Sequence, residues 1–142
     1  MPAAESRIRA VPIAGVLAWV LALVFLATGL GKALDVAGFA AVLGTYRLLP
    51  ADLLGPVAAL VVAVELAIVA GLVRPRWRRG AAVAAALVAA GNATVLVATL
   101  ARGITLENCG CFGVFLARPL SWAMPAEDLA LFALAWVVAR LA

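Results

Sequence analysis

Two cysteines separated by one glycine are the residues of this chain best suited to chemistry. Cys109 and Cys111 are its only cysteines, and they lie in the run ENCGCFG at residues 107–113, a polar gap between apolar segments. Neighbours this close can form a disulfide if the backbone turns suitably, and Gly110 widens the choice of turns. A bridge over one residue constrains little and is strained, which favours a labile, redox-active disulfide over a structural one.

Three other interpretations of the cysteine pair remain open. The first is a structural disulfide that only shapes the loop, and the second is a pair of thiols without function. The third is a soft-metal site, but two thiolates in a chain without histidine make an incomplete zinc site unless another chain supplies ligands. We expect no metal, and we predict redox chemistry at Cys109 and Cys111.

The composition places these cysteines in a membrane protein. Of the 142 residues, 68% are hydrophobic and only 13% are charged, a balance outside the range of soluble globular proteins. The absence of histidine removes the commonest general base from the possible chemistry. In a membrane protein, the excess of basic residues behind the net charge of +4 sets the orientation of the helices. The sequence shows no cluster of basic and aromatic residues of the kind that binds nucleic acid. We therefore expect the lipid bilayer as a partner and no nucleic acid.

Apolar runs of about 20 residues, the length that crosses a bilayer as a helix, predict the transmembrane segments. The fourth run is the weakest, because its uncharged part covers only residues 129–139. The predicted fold class is an all-α membrane protein, a four-transmembrane-helix bundle that forms a single membrane domain over residues 1–142. Its spans are predicted at about residues 11–34, 53–73, 79–101 and 124–142, with an outward redox loop at 102–123.

A short amphipathic helix is predicted between the first two spans. The apolar residues from Val36 to Leu43 follow helical spacing, and Asp35 is a possible N-cap for them. We expect this helix to lie at the outer membrane interface.

The basic residues predict the orientation of the bundle. Seven of the eleven fall on one side, and the other four are spread over two longer connections on the opposite side. The positive-inside rule then puts both termini in the cytoplasm and the cysteine loop outside the inner or plasma membrane, where disulfides persist. A cleaved signal peptide is the competing interpretation of the N-terminus, but the apolar stretch is long and no clear A-x-A site follows it. The seven are Arg7, Arg9, Arg74, Arg76, Arg78, Arg79 and Arg140; the four are Lys32, Arg47, Arg102 and Arg118.

Polar residues inside the predicted spans form a second candidate site. Glu65 lies within the second span, where a carboxylate is costly and is a functional hypothesis by default. Asn92 is expected at comparable depth, and Lys32 either pairs with Glu65 or extends outward to the interface. One interpretation is a hydrogen-bonded clasp of these three residues and Thr28 that locks the helices. The other is a proton relay or a contact to a bound quinone or another lipid-soluble acceptor. Tyr46 either anchors at the interface or lends its hydroxyl to the cysteine site.

Four short patterns resemble the MauE/DoxX group of small four-helix membrane proteins. The C-G-C-F-G run points to the methylamine-utilisation side of that group, the MauE type. The patterns are F-x-x-T-G-x-x-K at residues 25–32, Y-x-x-L-P at 46–50, Glu65 followed by Gly71-Leu72, and C-G-C-F-G at 109–113.

The resemblance implies thiol–disulfide chemistry outside the cytoplasmic membrane, with electrons passing between a thioredoxin-fold partner and the membrane. In plan, the four helices are also similar to the vitamin K epoxide reductase and DsbB membrane oxidoreductases, which hand electrons to quinones. Those enzymes carry more cysteines, normally with a C-x-x-C, whereas this chain has a single C-x-C. A quinone is the cofactor that this similarity of plan suggests.

We therefore predict a membrane thiol–disulfide oxidoreductase that exchanges electrons between an extracytoplasmic thioredoxin-like partner and the membrane. The main alternative is a non-catalytic membrane scaffold or maturation factor with a structural disulfide, and a third is a small transporter subunit that uses Glu65 for ion coupling. The predicted catalytic residues are Cys109 and Cys111, and the predicted supporting residues are Glu65, Lys32, Asn92, Gly110 and Phe112.

Overall fold

The chain folds into five helices and the loops that join them. The structure is a computed structural model that describes the backbone of residues 2–142 and the side chains of residues 12–142. No strand occurs in the described backbone, so the all-α prediction is confirmed. The arginines at positions 7 and 9 lie outside the described side chains. The helices are α1 Pro2–Ala33, α2 Val36–Thr45, α3 Ala51–Leu72, α4 Arg78–Ala101 and α5 Ala123–Leu141.

Three of the four long helices have the length and composition of membrane spans. Among the described residues, Pro12–Ala33, Ala51–Leu72 and Arg78–Ala101 are long and apolar enough to cross a bilayer. The fourth, α5, has 19 residues and is about 28 Å long at 1.5 Å per residue. Its three charged residues lie near its ends, two in the second turn and Arg140 in the last. The chain is therefore a multi-pass membrane protein.

A tightly packed core fills one end of the bundle, which we call the alanine end. It joins the middle of α1 to the second half of α3, the first half of α4 and the second half of α5, and successive long helices alternate in direction. Small residues let these backbones approach closely: a Cβ added to Gly71 would lie 2.6 Å from that of Ala81. The buried members of this core are Ala18, Leu21, Ala22, Phe25, Ile68, Leu72, Ala82, Ala85, Ala86, Ala135, Val138 and Ala139.

The opposite end of the bundle, which we call the cysteine end, consists of α2, the loop at residues 102–122 and the adjoining helix ends. The carboxylate of Asp35 accepts a hydrogen bond from the backbone N–H of Gly38 at 2.8 Å, which confirms the predicted N-cap of α2. Phe39 on α2 is buried, and the helix packs mainly against α3. This end carries a second, smaller core that includes Cys109.

Candidate redox site

The cysteines lie in a loop whose two arms are joined by backbone hydrogen bonds. The N–H of Cys109 donates to the carbonyl of Arg118 at 2.9 Å, and the N–H of Leu120 donates to the carbonyl of Leu106 at 3.0 Å. These bonds close the loop at residues 102–122 without any covalent bridge. The loop therefore has its shape while both cysteines are free thiols.

Asn108 holds the turn that contains the cysteines. Its side-chain oxygen accepts a hydrogen bond from the N–H of Gly110 at 2.9 Å, and its side-chain amide donates to the carbonyl of Gly113 at 3.1 Å. Both glycines have positive φ, 76° and 74°, a conformation that residues with a Cβ rarely adopt. The predicted supporting role of Gly110 thus has a geometric basis, since Gly110 turns the backbone between the two thiols.

The two sulfur atoms lie side by side but in different surroundings. Their Sγ atoms are 2.9 Å apart. A disulfide bond is about 2.05 Å long, so the bond can form after the sulfurs approach by about 0.9 Å. Cys109 is buried, with 5% of its surface exposed, whereas Cys111 is partly exposed. Cys111 is therefore the more exposed residue of the pair.

The neighbouring thiol sets the pKa of each cysteine in opposite directions. The pKa of Cys109 falls to about 6, chiefly because the Cys111 thiol donates a hydrogen bond to it. The backbone N–H of Cys111, 3.4 Å away, and the charge of Arg118 add to this effect, while burial opposes it. The pKa of Cys111 is raised by the same hydrogen bond and by burial. Cys109 therefore loses its proton more readily than an isolated thiol does, and Cys111 keeps its proton more firmly.

Tyr46 and Arg102 fasten the end of α2 to the cysteine loop. The Tyr46 hydroxyl donates to the carbonyl of Cys109 at 2.5 Å, and burial raises its pKa, which keeps it protonated as a donor. The guanidinium of Arg102 donates to the carbonyls of Tyr46 and Arg47 at 3.0 and 3.3 Å. Of the two interpretations of Tyr46, the structure shows the hydroxyl in the cysteine site. Arg102 therefore binds the backbone that directly follows α2.

The loop rests directly on the end of α1. A Cβ added to Gly31 would collide with the backbone carbonyl of Phe112, and one added to Gly113 would collide with the carbonyl of Gly31. Because the residue after Gly31 is Lys32, this contact brings the cysteine turn next to the buried polar residues. The lysine charge is near enough to act on the Cys111 thiol.

Lys32 and Glu65 form a buried ion pair beneath the loop. The Lys32 ammonium donates to Oε1 of Glu65 at 2.6 Å, and Thr28 donates to Oε2 at 3.2 Å. Lys32 and Glu65 are 4% and 2% exposed, so Lys32 points into the bundle instead of extending to the interface. Within the described side chains, no hydrogen bond joins Asn92 to Glu65. The predicted clasp thus contains three of its four members.

Two cavities flank these groups. We call the larger one, about 430 Å³, the α5 chamber; its lining includes Glu65 and Asp128. We call the smaller one, about 290 Å³, the α2 chamber; it is lined by Cys109 and Tyr46 among others. Three residues line both chambers, namely Lys32, Asn92 and Cys111. Phe112, the remaining predicted supporting residue, lines the α5 chamber.

Sequence reasoning missed Asp128 and Asn108 as members of the site. Asp128, on α5, lines a chamber that Lys32 also lines. Asn directly before a Cys-Gly pair is the one signal that would have indicated Asn108, because Asn side chains stabilise turns two residues ahead. Among the described residues, no cluster of three or more metal-binding side chains is present.

The family model described as methylamine utilisation protein MauE matches residues 10–141. The chain belongs to the MauE family. It is 42% identical over 120 residues to the methylamine utilization protein MauE of Paracoccus denitrificans, and 35% identical over 122 residues to that of Paracoccus versutus.

These alignments cover 84% and 85% of this chain but 64% and 65% of the two relatives, so the chain spans just under two thirds of their length. The predicted resemblance to the MauE type is confirmed. No solved structure matches the chain.

Proposed function

We propose that this chain is a membrane thiol–disulfide oxidoreductase of the methylamine-utilisation type, the process for which its relatives are named. In this proposal both termini are cytoplasmic and the cysteine end faces an oxidising space, as the distribution of basic residues favours. The partner is an extracytoplasmic protein of the thioredoxin fold that carries a dithiol.

One observation carries the proposal: the two thiols lie 2.9 Å apart and have pKa values shifted in opposite directions. A thiolate beside a thiol is the reduced form of a cysteine pair that can be oxidised to a disulfide. Low thiol pKa also makes Cys109 a good leaving group when the disulfide is attacked. Structural cysteines in apolar surroundings have raised pKa values and are inert.

Exchange with the partner begins on the disulfide form. A thiolate of the partner attacks Sγ of Cys111, the more exposed cysteine, and a partner–Cys111 bond forms as the Cys109–Cys111 bond breaks. Cys109 departs as a thiolate, which Arg118 and the N–H of Cys111 stabilise. The partner's second thiolate then attacks the partner's own sulfur in the mixed disulfide. The partner leaves oxidised, and Cys111 takes up a proton as a thiol.

The scaffold alternative has less support from the loop itself. A structural disulfide is useful where it holds a shape that the reduced chain would lose. Here the two backbone bonds between the arms and the two bonds of Asn108 hold the loop with the cysteines reduced. A bridge between Cys109 and Cys111 would add almost no further constraint.

Trapping a mixed disulfide tests the proposal. The variant Cys109→Ser keeps the more exposed cysteine and has no second thiol to reverse the exchange. Its Cys111 thiolate attacks a single-cysteine thioredoxin-fold partner that carries a thionitrobenzoate mixed disulfide; thionitrobenzoate leaves, and we expect a stable Cys111–partner adduct. The matched variant Cys111→Ser leaves only the buried sulfur, and we expect at least a tenfold lower yield. Non-reducing electrophoresis of membranes measures both yields. An absence of adduct in both variants would contradict exchange through this pair.

A further inference from the structure

We infer that the α5 chamber binds the ring of a lipid-soluble quinone, which takes the electrons of the reduced cysteine pair. This inference rests on the proposed function, because it names the acceptor of the electrons that the cysteines receive. Three features of the chamber carry it: its opening toward lipid, its unused hydrogen-bond donors and its contact with one sulfur only.

The chamber has the size and walls of a site for an apolar ring. Its volume of about 430 Å³ lies in the usual range of small-molecule sites, about 300–1,000 Å³. Val20, Val24, Leu131 and Leu134 form apolar walls on α1 and α5. Val20 lines the chamber and is also 46% exposed on the side of the bundle, so the chamber opens between these helices. A ligand dissolved in the bilayer can enter there without crossing water.

The chamber offers hydrogen-bond donors that the protein does not use. The Lys32 ammonium has three N–H donors, and within the described residues one of them goes to Glu65. Asn92 is exposed, and no described residue hydrogen-bonds with its side-chain amide. It lies within the membrane-spanning helix α4, where a polar group without a hydrogen-bond partner is costly. The carbonyl oxygens of a quinone can accept hydrogen bonds from both the Lys32 ammonium and the Asn92 amide. A lipid tail alone would leave both sets of donors unpaired.

The position of Cys111 connects this chamber to the thiol chemistry. Cys111 lines both chambers, whereas Cys109 lines only the α2 chamber. The reaction is a two-electron, two-proton transfer: the Cys109–Cys111 bond forms, and both electrons pass to the quinone carbonyls. The Cys111 thiol supplies one proton. The second proton enters from the outer side through the α5 chamber, whose lining includes Asp128. The products are the protein disulfide and the quinol.

Direct binding measurements test the assignment without relying on turnover. The full chain in lipid nanodiscs is titrated with decylubiquinone, and decylbenzene, which has the ring and tail without carbonyls, is the matched ligand control. We compare Val24→Trp, which fills the α5 chamber, with Val61→Trp, which fills the α2 chamber; both are partly buried valines in long helices. We expect the quinone Kd to rise at least tenfold in Val24→Trp and to stay within twofold in Val61→Trp.

Photolabelling keeps the inference testable if a tryptophan variant fails to fold. An azidoquinone is crosslinked to the unmodified protein, and we expect labelled peptides from α1 and α5. Labelling confined to α2 and α3, equal binding of decylbenzene, or a Kd that rises only in Val61→Trp would each overturn the assignment.

The double variant Cys109→Ser/Cys111→Ser separates this inference from the proposed function. We expect it to bind decylubiquinone, because the Lys32 and Asn92 donors and the apolar walls of the chamber remain, and to reduce none. If the partner exchange fails while quinone binding persists in the α5 chamber, the oxidoreductase proposal is wrong and the ligand site stands. If exchange succeeds and no quinone binds, the site is wrong and the exchange stands.

Discussion

The two ends of the bundle are built on opposite principles. At the alanine end, small side chains on α4 and α5 bring the helix backbones together, and twelve buried apolar residues form one continuous core. At the cysteine end, two chambers surround the Lys32–Glu65 ion pair, the two thiols and the side-chain amide of Asn92 on α4. Cavities lower the stability of a fold because the atoms around them lose packing contacts, and burying charges also lowers the free energy of unfolding. The alanine end therefore holds the helices together, and the cysteine end carries the groups on which the proposed function rests.

The largest expected effect comes from breaking the ion pair at the cysteine end. Glu65→Ala leaves the Lys32 ammonium buried without a counterion, and we expect a loss of about 3–5 kcal/mol in unfolding free energy. The double variant Lys32→Met/Glu65→Gln removes both charges at similar volume, and we expect it to lose much less. Unfolding of the protein in mixed micelles by detergent titration measures both. Equal losses in the two variants would show that the pair is not a coupled unit.

The thiol pair gives the next largest effect, measured as a pH dependence. A low pKa means that Cys109 is ionised above about pH 6, so its alkylation by a small neutral reagent should rise to half its maximum near that pH. Cys111→Ala removes the main hydrogen-bond donor, and we expect the midpoint to move up by about two units, toward the ordinary value near 8.5.

Cys111→Ser is the matched control for that measurement, because its hydroxyl keeps a donor beside Cys109. We expect a midpoint between those of the wild type and Cys111→Ala. A midpoint that stays near pH 6 in Cys111→Ala would mean that another group stabilises the thiolate.

A glycine-to-alanine substitution is expected to have opposite effects on stability at Gly31 and at Gly91. Gly31→Ala would push a methyl group into the backbone of Phe112, and we expect a loss of about 1–3 kcal/mol and faster alkylation of Cys111 as the loop lifts. Gly91 in α4 has no neighbouring atom within 4 Å of an added Cβ, so Gly91→Ala should stabilise the helix by about 0.5–1 kcal/mol. If the two variants behave alike, the loop does not rest on α1.

The smallest effect tests the link between α2 and the loop. Tyr46→Phe removes the hydrogen bond to the carbonyl of Cys109 and leaves the backbone contacts of Arg102 in place. We expect a loss of about 1 kcal/mol in unfolding free energy, with the helical content unchanged by circular dichroism. An unfolding free energy equal to that of the wild type would show that the hydroxyl does not hold the loop.

The fold and the site differ in how far the sequence could predict them. Long uncharged runs predicted the helices, because a chain that crosses a bilayer must satisfy its backbone hydrogen bonds internally, as a helix does. The cap at Asp35 was predictable because it is a local contact. Glu65 stood out as a charge in an apolar run, and Lys32 was its nearest candidate partner.

The remaining contacts were not predictable because they join parts of the chain that are distant in sequence. Nothing near Tyr46 indicates that its hydroxyl meets a carbonyl 63 residues later. The contact of Gly31 with Phe112 depends on how the loop folds back over α1. Asn92 was expected in the clasp from its depth alone, yet the rotation of α4 turns it toward the chambers.

The most direct test of the central claim is the redox state of the two cysteines in native membranes. Thiols are alkylated with a reagent that shifts mobility, before and after addition of a reduced or an oxidised thioredoxin-fold protein. We predict two modified thiols after the reduced protein and none after the oxidised one, with full reversal between them. A pair that keeps one state under both treatments would contradict the account and favour the scaffold.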